Sequence, residues 1–195
     1  MIGGVAERRE AKIASIVATA WELARTEGIG GVTLHGLARA IGMRQPSLYA
    51  YFDSKNALFD AMFADGNRQL LERLGSVRLP REPRAAVKTF MRTFVKFVLE
   101  DPARYLLLFQ RPVPSFEPSA DAYRPAQEVL DRTVELLHGA GIEDPGDVDC
   151  FVAMIAGLVD AQISNDPGGR RWIRHLDRLI DLYIDDAIQR RNHDR

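Results

Sequence analysis

The chain has 195 residues, 46% of them apolar and 27% charged, an ordinary composition for globular domains of this length. Basic and acidic residues nearly balance at a net charge of −1, which excludes a global positive field that would draw in polyanions. Any nucleic-acid contact must come from a local patch. Cys150 is the only cysteine, which excludes an intrachain disulfide and fits a reducing, cytoplasmic setting.

Charged residues Glu7, Arg8, Arg9, Glu10 and Lys12 precede the apolar stripe that begins at Ile13, unlike a secretory leader. The longest apolar run, Phe151 to Val159, falls far short of the ~18 residues that indicate a membrane span. No stretch alternates strictly with a β-branched bias, so an all-α protein of about nine helices is expected. The first helix is predicted from about Glu7 to Glu27. Ile13, Ile16, Val17, Ala20, Trp21 and Ala24 form its stripe, and Gly28 should stop it as a left-handed cap. Thr33 suits the N-cap of a second helix, and Pro46 the first turn of a third.

Asp53 or Ser54 should cap a fourth helix ending near Gly75, with Pro80 and Pro83 marking a linker. A fifth helix runs to about Asp101, and Pro102 opens a short sixth over residues 103–110. The three prolines of residues 111–121 read as a loop. Three more helices are expected over residues 122–138, 148–163 and 170–189, with a turn at Asn165 to Gly169.

Residues Thr33 to Lys55 carry most of the functional information. Leu34, Leu37, Ala38 and Ile41 point one way on a short helix. Gly42 permits the left-handed backbone of a tight turn. Leu48 and Phe52 lie one turn apart, while Arg44, Gln45, Ser47, Tyr49 and Tyr51 offer hydrogen-bonding groups outward. A short helix of this kind, after such a turn, suits the major groove of DNA. Arg39, Arg44 and Lys55 stand against Asp53 there, a local net charge of +2.

The run Thr33, Leu37-Ala38, Ile41-Gly42-Met43, Pro46-Ser47-Leu48-Tyr49, Tyr51-Phe52 and Ser54-Lys55 resembles the tetracycline repressor (TetR) family of one-component transcription regulators. The resemblance covers the first third of the chain. It implies a helix-turn-helix domain over residues 1–53 and a helical ligand-binding and dimerisation domain over residues 54–195. It also implies that Thr33, Tyr49 and Lys55 contact phosphates, and that Gln45, Pro46 and Tyr51 contact base edges or thymine methyls. His35 stands where family members place a groove-facing residue, in place of the arginine of the drug repressors. Arg44 replaces a small cap residue and would reach a phosphate or a guanine.

The last two helices carry many large apolar residues. Phe151, Ile155, Leu158, Trp172, Leu176, Leu179 and Tyr183 are expected in a homodimer interface, with an intramolecular core as the alternative. Phe90, Phe94, Phe97, Tyr105, Phe109, Phe116 and Tyr123 cluster in the middle third. Singly they read as core. Together, with Gln127 as a polar neighbour, they are expected to line a cavity for a small apolar or amphipathic effector. Gln110, Arg104 and Gln162 are further groups able to orient such a ligand. Glu135 and His138 have the spacing of one half of a di-iron pair, but no second half exists. No catalytic constellation, metal motif or cofactor loop is present in the sequence. The expected function is therefore an effector-responsive regulator bound to a double-stranded DNA operator. An enzyme using the cavity, or a helical interaction module without DNA binding, remains the alternative.

Overall fold

A computed structural model describes residues 3–193, which form nine α-helices and, among the described residues, no strand. The helices are α1 (Gly3–Gly31), α2 (Leu34–Ala40), α3 (Gln45–Tyr49), α4 (Lys55–Gly75), α5 (Pro83–Glu100), α6 (Pro102–Phe109), α7 (Ala120–Gly139), α8 (Pro145–Asn165) and α9 (Leu176–His193). They divide between two units. The first holds the chain to Gln69 and residues Asp101–Pro125; the second holds Leu70–Glu100 and Ala126 onward. None of these helices is long and apolar enough to cross a membrane.

Boundaries shift where a capping side chain decides them. Gly28 has the expected positive φ of 74°, but its ψ of 163° is not the left-handed helical value. The helical turn resumes after it to Gly31. Ser54, not Asp53, caps α4, its Oγ accepting from the Ala57 amide at 3.1 Å. Pro83 is the first residue of α5 rather than part of a linker, because Glu82 accepts from the amides of Arg84 and Ala85. Likewise α8 opens at Pro145, with Asp144 accepting from the Asp147 amide. The last helix starts at Leu176 rather than Arg170, after a short 3-10 turn over Ile173–His175. There the buried Gln162 accepts from the amides of Trp172 and Ile173, at 2.9 and 3.3 Å. Gln162 thus holds the α8–α9 connection and is not a ligand-orienting group.

In the first unit a polar network joins α1, α4 and α6. Trp21 Nε1 and Gln69 Nε2 both donate to Asp65 Oδ2, at 2.9 and 2.7 Å, and Gln69 Oε1 accepts from Arg104 at 2.8 Å. Asp101, buried at the start of α6, caps the Arg104 amide with one oxygen and accepts from Arg25 with the other. Around this network Ile16, Trp21, Phe59, Met62 and Leu107 are buried. A Cβ on Gly66 would meet the Leu108 methyls at 3.1 Å and the Trp21 ring at 3.3 Å. Glycine therefore lets α6 and α1 close on α4.

In the second unit Phe151, Ile155, Leu158, Val159, Leu176, Ile180 and Ile184 form the core. Beside it runs a ladder of charge. Arg84, Lys88 and Arg92, one turn apart on α5, face Asp177, Asp181 and Asp185, one turn apart on α9. The i, i+4 spacing on both helices lets successive rungs form together, which fixes their register. These groups are partly exposed, so each pair contributes only ~0–1 kcal/mol.

The hydrogen bond from Arg92 holds the Asp177 carboxyl below its ordinary range, against the opposing effect of burial. A carboxyl depressed by folding stabilises above its unfolded pKa of ~3.9, and loses that contribution as pH falls through the folded value. Asp177→Asn should therefore be less stable than wild type near neutral pH, and the deficit should shrink as pH falls below about 4. Thermal melts across that range measure the difference; a deficit constant with pH would remove this assignment.

Candidate nucleic-acid interface

Thr33 initiates the motif from the backbone outward. Its φ of −129° and ψ of 150° are extended, and its Oγ1 accepts from the Gly36 amide at 3.0 Å. Leu34, Leu37 and Ala38 of α2 are buried. The helix ends in a Schellman arrangement: Met43 N–H donates to Ala38 O at 2.9 Å, and Gly42 N–H to Arg39 O at 3.2 Å. Gly42 adopts φ 66°, where a Cβ is strained. The chain then re-enters a helix at Gln45 with Pro46 in its first turn.

Helix α3 buries Leu48 alone, and Phe52 follows it into the same core. Arg44, Pro46, Ser47 and Tyr49 are exposed, and Gln45 and Tyr51 are half-buried. The amide of Gln45 lies 3.4 Å from His35 Nδ1, so α2 and α3 present these two side chains side by side. Lys55 donates to Gly30 O at 3.3 Å and lies over the Phe59 ring, 5.2 Å from its centroid. The ammonium is thereby fixed between the end of α1 and the start of α4. All nine residues singled out from Thr33 to Lys55 belong to the first unit, and each retains accessible surface. Arg9 was not among them. It lies on α1, yet donates to the Ala50 carbonyl at 3.1 Å with its guanidinium over Tyr51. No local pattern pairs residues 41 positions apart.

The aromatic residues of the middle third are divided between the units. Phe116 is buried against Phe59 and Phe63, at centroid distances of 5.8 and 6.4 Å, and Tyr123 stacks on Phe63 at 6.0 Å. Tyr105 is buried and packs on Phe109 at 5.5 Å. These four side chains belong to the first unit, whereas Phe90, Phe94, Phe97 and Gln127 belong to the second. In the second unit Phe90 borders a groove of about 230 Å3, with Leu74, Val77, Leu136, Arg132 and Glu135 around it. Gln110 donates to the Tyr105 hydroxyl at 3.3 Å, and Arg104 is held by Gln69, so both serve the first unit.

The residues expected at a dimer interface need correction. Phe151, Ile155, Leu158 and Leu176 are at most 6% exposed within the single chain, so they have almost no surface to give a partner. They are the core of the second unit because α8 and α9 pack on each other and on α5. Tyr183 donates to Asp147 O at 2.7 Å and meets Phe151 edge-on; it stays half-buried with Trp172 and Leu179. The large apolar side chains exposed on α8 and α9 are instead Val152 and Leu182, at 41% and 55%; Ala153 and Gly157 of α8 are exposed as well.

This arrangement is one of known type. Residues 16–62 match the family model of bacterial regulatory proteins, tetR family, and residues 87–187 match that of the tetracyclin repressor-like C-terminal domain. The chain belongs to the TetR family of transcription regulators. Among curated proteins it is 29% identical over 90 residues to the HTH-type transcriptional regulator YobS of Bacillus subtilis, covering 46% of this chain and 47% of that one. It is 42% identical over 48 residues to the class C tetracycline repressor of Escherichia coli, covering 25% and 22% respectively. The chain thus spans less than half the length of these relatives. Its fold is shared more fully with solved structures. The TetR-family regulator PfmR of Thermus thermophilus superposes with a TM-score of 0.66 at 16% identity, over 87% of this chain and 97% of that one. BioQ bound to its double-stranded DNA operator superposes with a TM-score of 0.64 at 17% identity, over 90% and 96%.

Because Gly42 alone supplies the positive φ of the turn, Gly42→Ala should destabilise the protein by ~1–2 kcal/mol without removing any side-chain contact. Denaturant unfolding measures this; an unchanged midpoint would mean the turn relaxes.

Proposed function

We propose that this protein is a cytoplasmic, homodimeric repressor that binds a near-palindromic operator and leaves it when a small, mainly apolar effector binds. The observation that carries the reading is α3 itself. It buries one side chain and turns Arg44, Ser47 and Tyr49 outward, with Gln45 beside His35. A helix of this make-up suits base edges in a major groove. BioQ, of the same fold, has been solved on a DNA operator.

Residues 1–53 are assigned DNA binding, and residues 54–195 effector binding and dimerisation. Thr33, Tyr49 and Lys55 take phosphates. Gln45, Pro46 and Tyr51 take base edges or methyls, with His35 and Arg44 at the flanks. Dimerisation is needed because one short helix reads few base pairs, and two related by a dyad read two half-sites a helical turn apart. The exposed face around Val152 and Leu182 is the surface assigned to it.

The effector is assigned to the second unit. The groove beside Phe90, at about 230 Å3, is smaller than the ~300 Å3 at which ordinary ligand clefts begin. At this groove, an effector of ordinary size would need a conformer that is more open there. An effector that binds the opened conformer better than the DNA-binding one shifts the population; equal affinity would shift nothing.

Two experiments test the reading. Tyr49→Phe and Lys55→Ala should weaken binding to every duplex in a randomised library while leaving the selected sequence intact, since phosphate contacts position without specifying. Gln45→Ala should relax one or two base positions, at a cost of ~1–3 kcal/mol if the amide contact is bidentate. An unchanged selected site would place Gln45 outside the groove. For the dimer, Val152→Glu with Leu182→Glu should give a folded monomer in sedimentation and abolish operator binding. A wild-type protein that sediments as a monomer at micromolar concentration would remove the interface.

A further inference from the structure

We propose that Arg9, on α1 and outside the helix-turn-helix, is a positioning residue that fixes the Tyr51 ring and so sets preference at the base position Tyr51 reads. The inference rests on the DNA-binding reading above. Helix α3 ends at Tyr49, with Ala50 as its C-cap. Tyr51 lies past the end, where its amide closes a turn onto Leu48 O at 2.9 Å. Its neighbour Phe52 is buried, whereas the Tyr51 ring is half-buried. The turn fixes the Tyr51 backbone but leaves its side-chain torsion to whatever touches the ring.

Arg9 supplies that contact. Its Nη1 donates to the Ala50 carbonyl at 3.1 Å, and its guanidinium carbon lies 5.2 Å from the Tyr51 ring centroid. The carbonyl stands at the C-terminal end of α3, where unsatisfied acceptors and the helix dipole both favour a cation. A guanidinium serves both partners at once, because one N–H donates to the carbonyl while its charge lies over the ring. The adjacent arginine is engaged elsewhere, since Arg8 Nε donates to Gly4 O within α1. The plainer role for Arg9 is a phosphate contact through charge alone, and the two roles predict different behaviour. A phosphate contact changes affinity and salt dependence uniformly over sequences. A positioning residue changes the preferred base at one place.

The test compares wild type, Arg9→Ala, Arg9→Lys, Tyr51→Ala and the Arg9→Ala/Tyr51→Ala pair as full chains. Each is selected against a randomised duplex library, and its salt dependence of binding is measured. The ring resonances of Tyr51 are followed in DNA-free protein with labelled tyrosine, assigned through Tyr51→Phe. Arg9→Ala should relax preference by about two- to five-fold, the factor expected for an exposed cation–π contact. The affected base position should be the one altered by Tyr51→Ala, and the pair should relax it no further. Arg9→Lys should keep the wild-type salt dependence without restoring the preference. The Tyr51 resonances should move in both Arg9 variants.

Uniform weakening with a reduced salt slope and an unchanged selected site would overturn the proposal in favour of a phosphate contact. Full rescue by lysine would overturn it too, as would Tyr51 resonances that stay in place. If wild type retains no duplex, the DNA-binding reading fails. The ring resonances, which need no DNA, still decide whether Arg9 holds Tyr51.

Discussion

Helix α3 is five residues long and buries only Leu48, so it cannot be stable alone; isolated helices need roughly 12 residues or more to be even marginal in water. The face it offers outward is useful only if other parts of the chain fix it. The Schellman turn at Gly42 sets its direction relative to α2. Phe52 anchors the chain just beyond it, and Arg9 holds its C-terminal carbonyl from α1. A helix with more apolar side chains would be firmer but would have fewer polar groups to read a groove. Its brevity is compatible with function because its supports lie outside it.

The same logic extends through the first unit. Helix α4 begins at Lys55, one of the residues assigned to DNA, and its first turns are held by a loop distant in sequence. Asn56 donates to Ser115 O at 3.0 Å, and Asp60 accepts from the amide and hydroxyl of Ser119. Phe116, from the same proline-containing loop, fills the space beside Phe59 and Phe63. Ser119 also caps α7, so one serine links the start of α7 to the start of α4. Deeper in the unit, the Asp65 and Asp101 carboxylates accept hydrogen bonds from α1, α4 and α6. Both carboxylates are hydrogen-bonded within the unit, which favours one arrangement of three helices over sliding alternatives.

The second unit divides its labour by helix face. On α8 and α9 Phe151, Ile155, Leu158, Leu176, Ile180 and Ile184 turn inward to the unit's own core, while Val152 and Leu182 are exposed. The charge ladder between α5 and α9 adds little free energy per rung but requires both helices to stay in register. Helix α5 also carries Phe90 at the groove, and α9 carries Leu182 on the outward face. Any shift of α5 would therefore have to break or carry along its partners on α9.

The all-helical class, the helix-turn-helix and the family are all legible in local sequence. Each depends on local rules: apolar spacing at 3.6 residues, a glycine where φ must be positive, prolines in first turns. A family motif compressed into Thr33 to Lys55 needs no long-range contact to be legible. Tertiary structure decided what depends on distant partners. The sequence could mark Phe151, Ile155, Leu158 and Leu176 as buried, but not whether the same chain or a second copy buried them. Gln162 has an amide suited to a ligand, but its partners are the Trp172 and Ile173 amides, ten and eleven residues on. The aromatic residues of the middle third shared a stretch of sequence, yet the chain passes from one unit to the other within it, at Asp101 and again after Pro125. Arg9 was invisible because its partners lie some forty residues away. Periodicity reports which face of an element is apolar; only the packed chain says what that face meets.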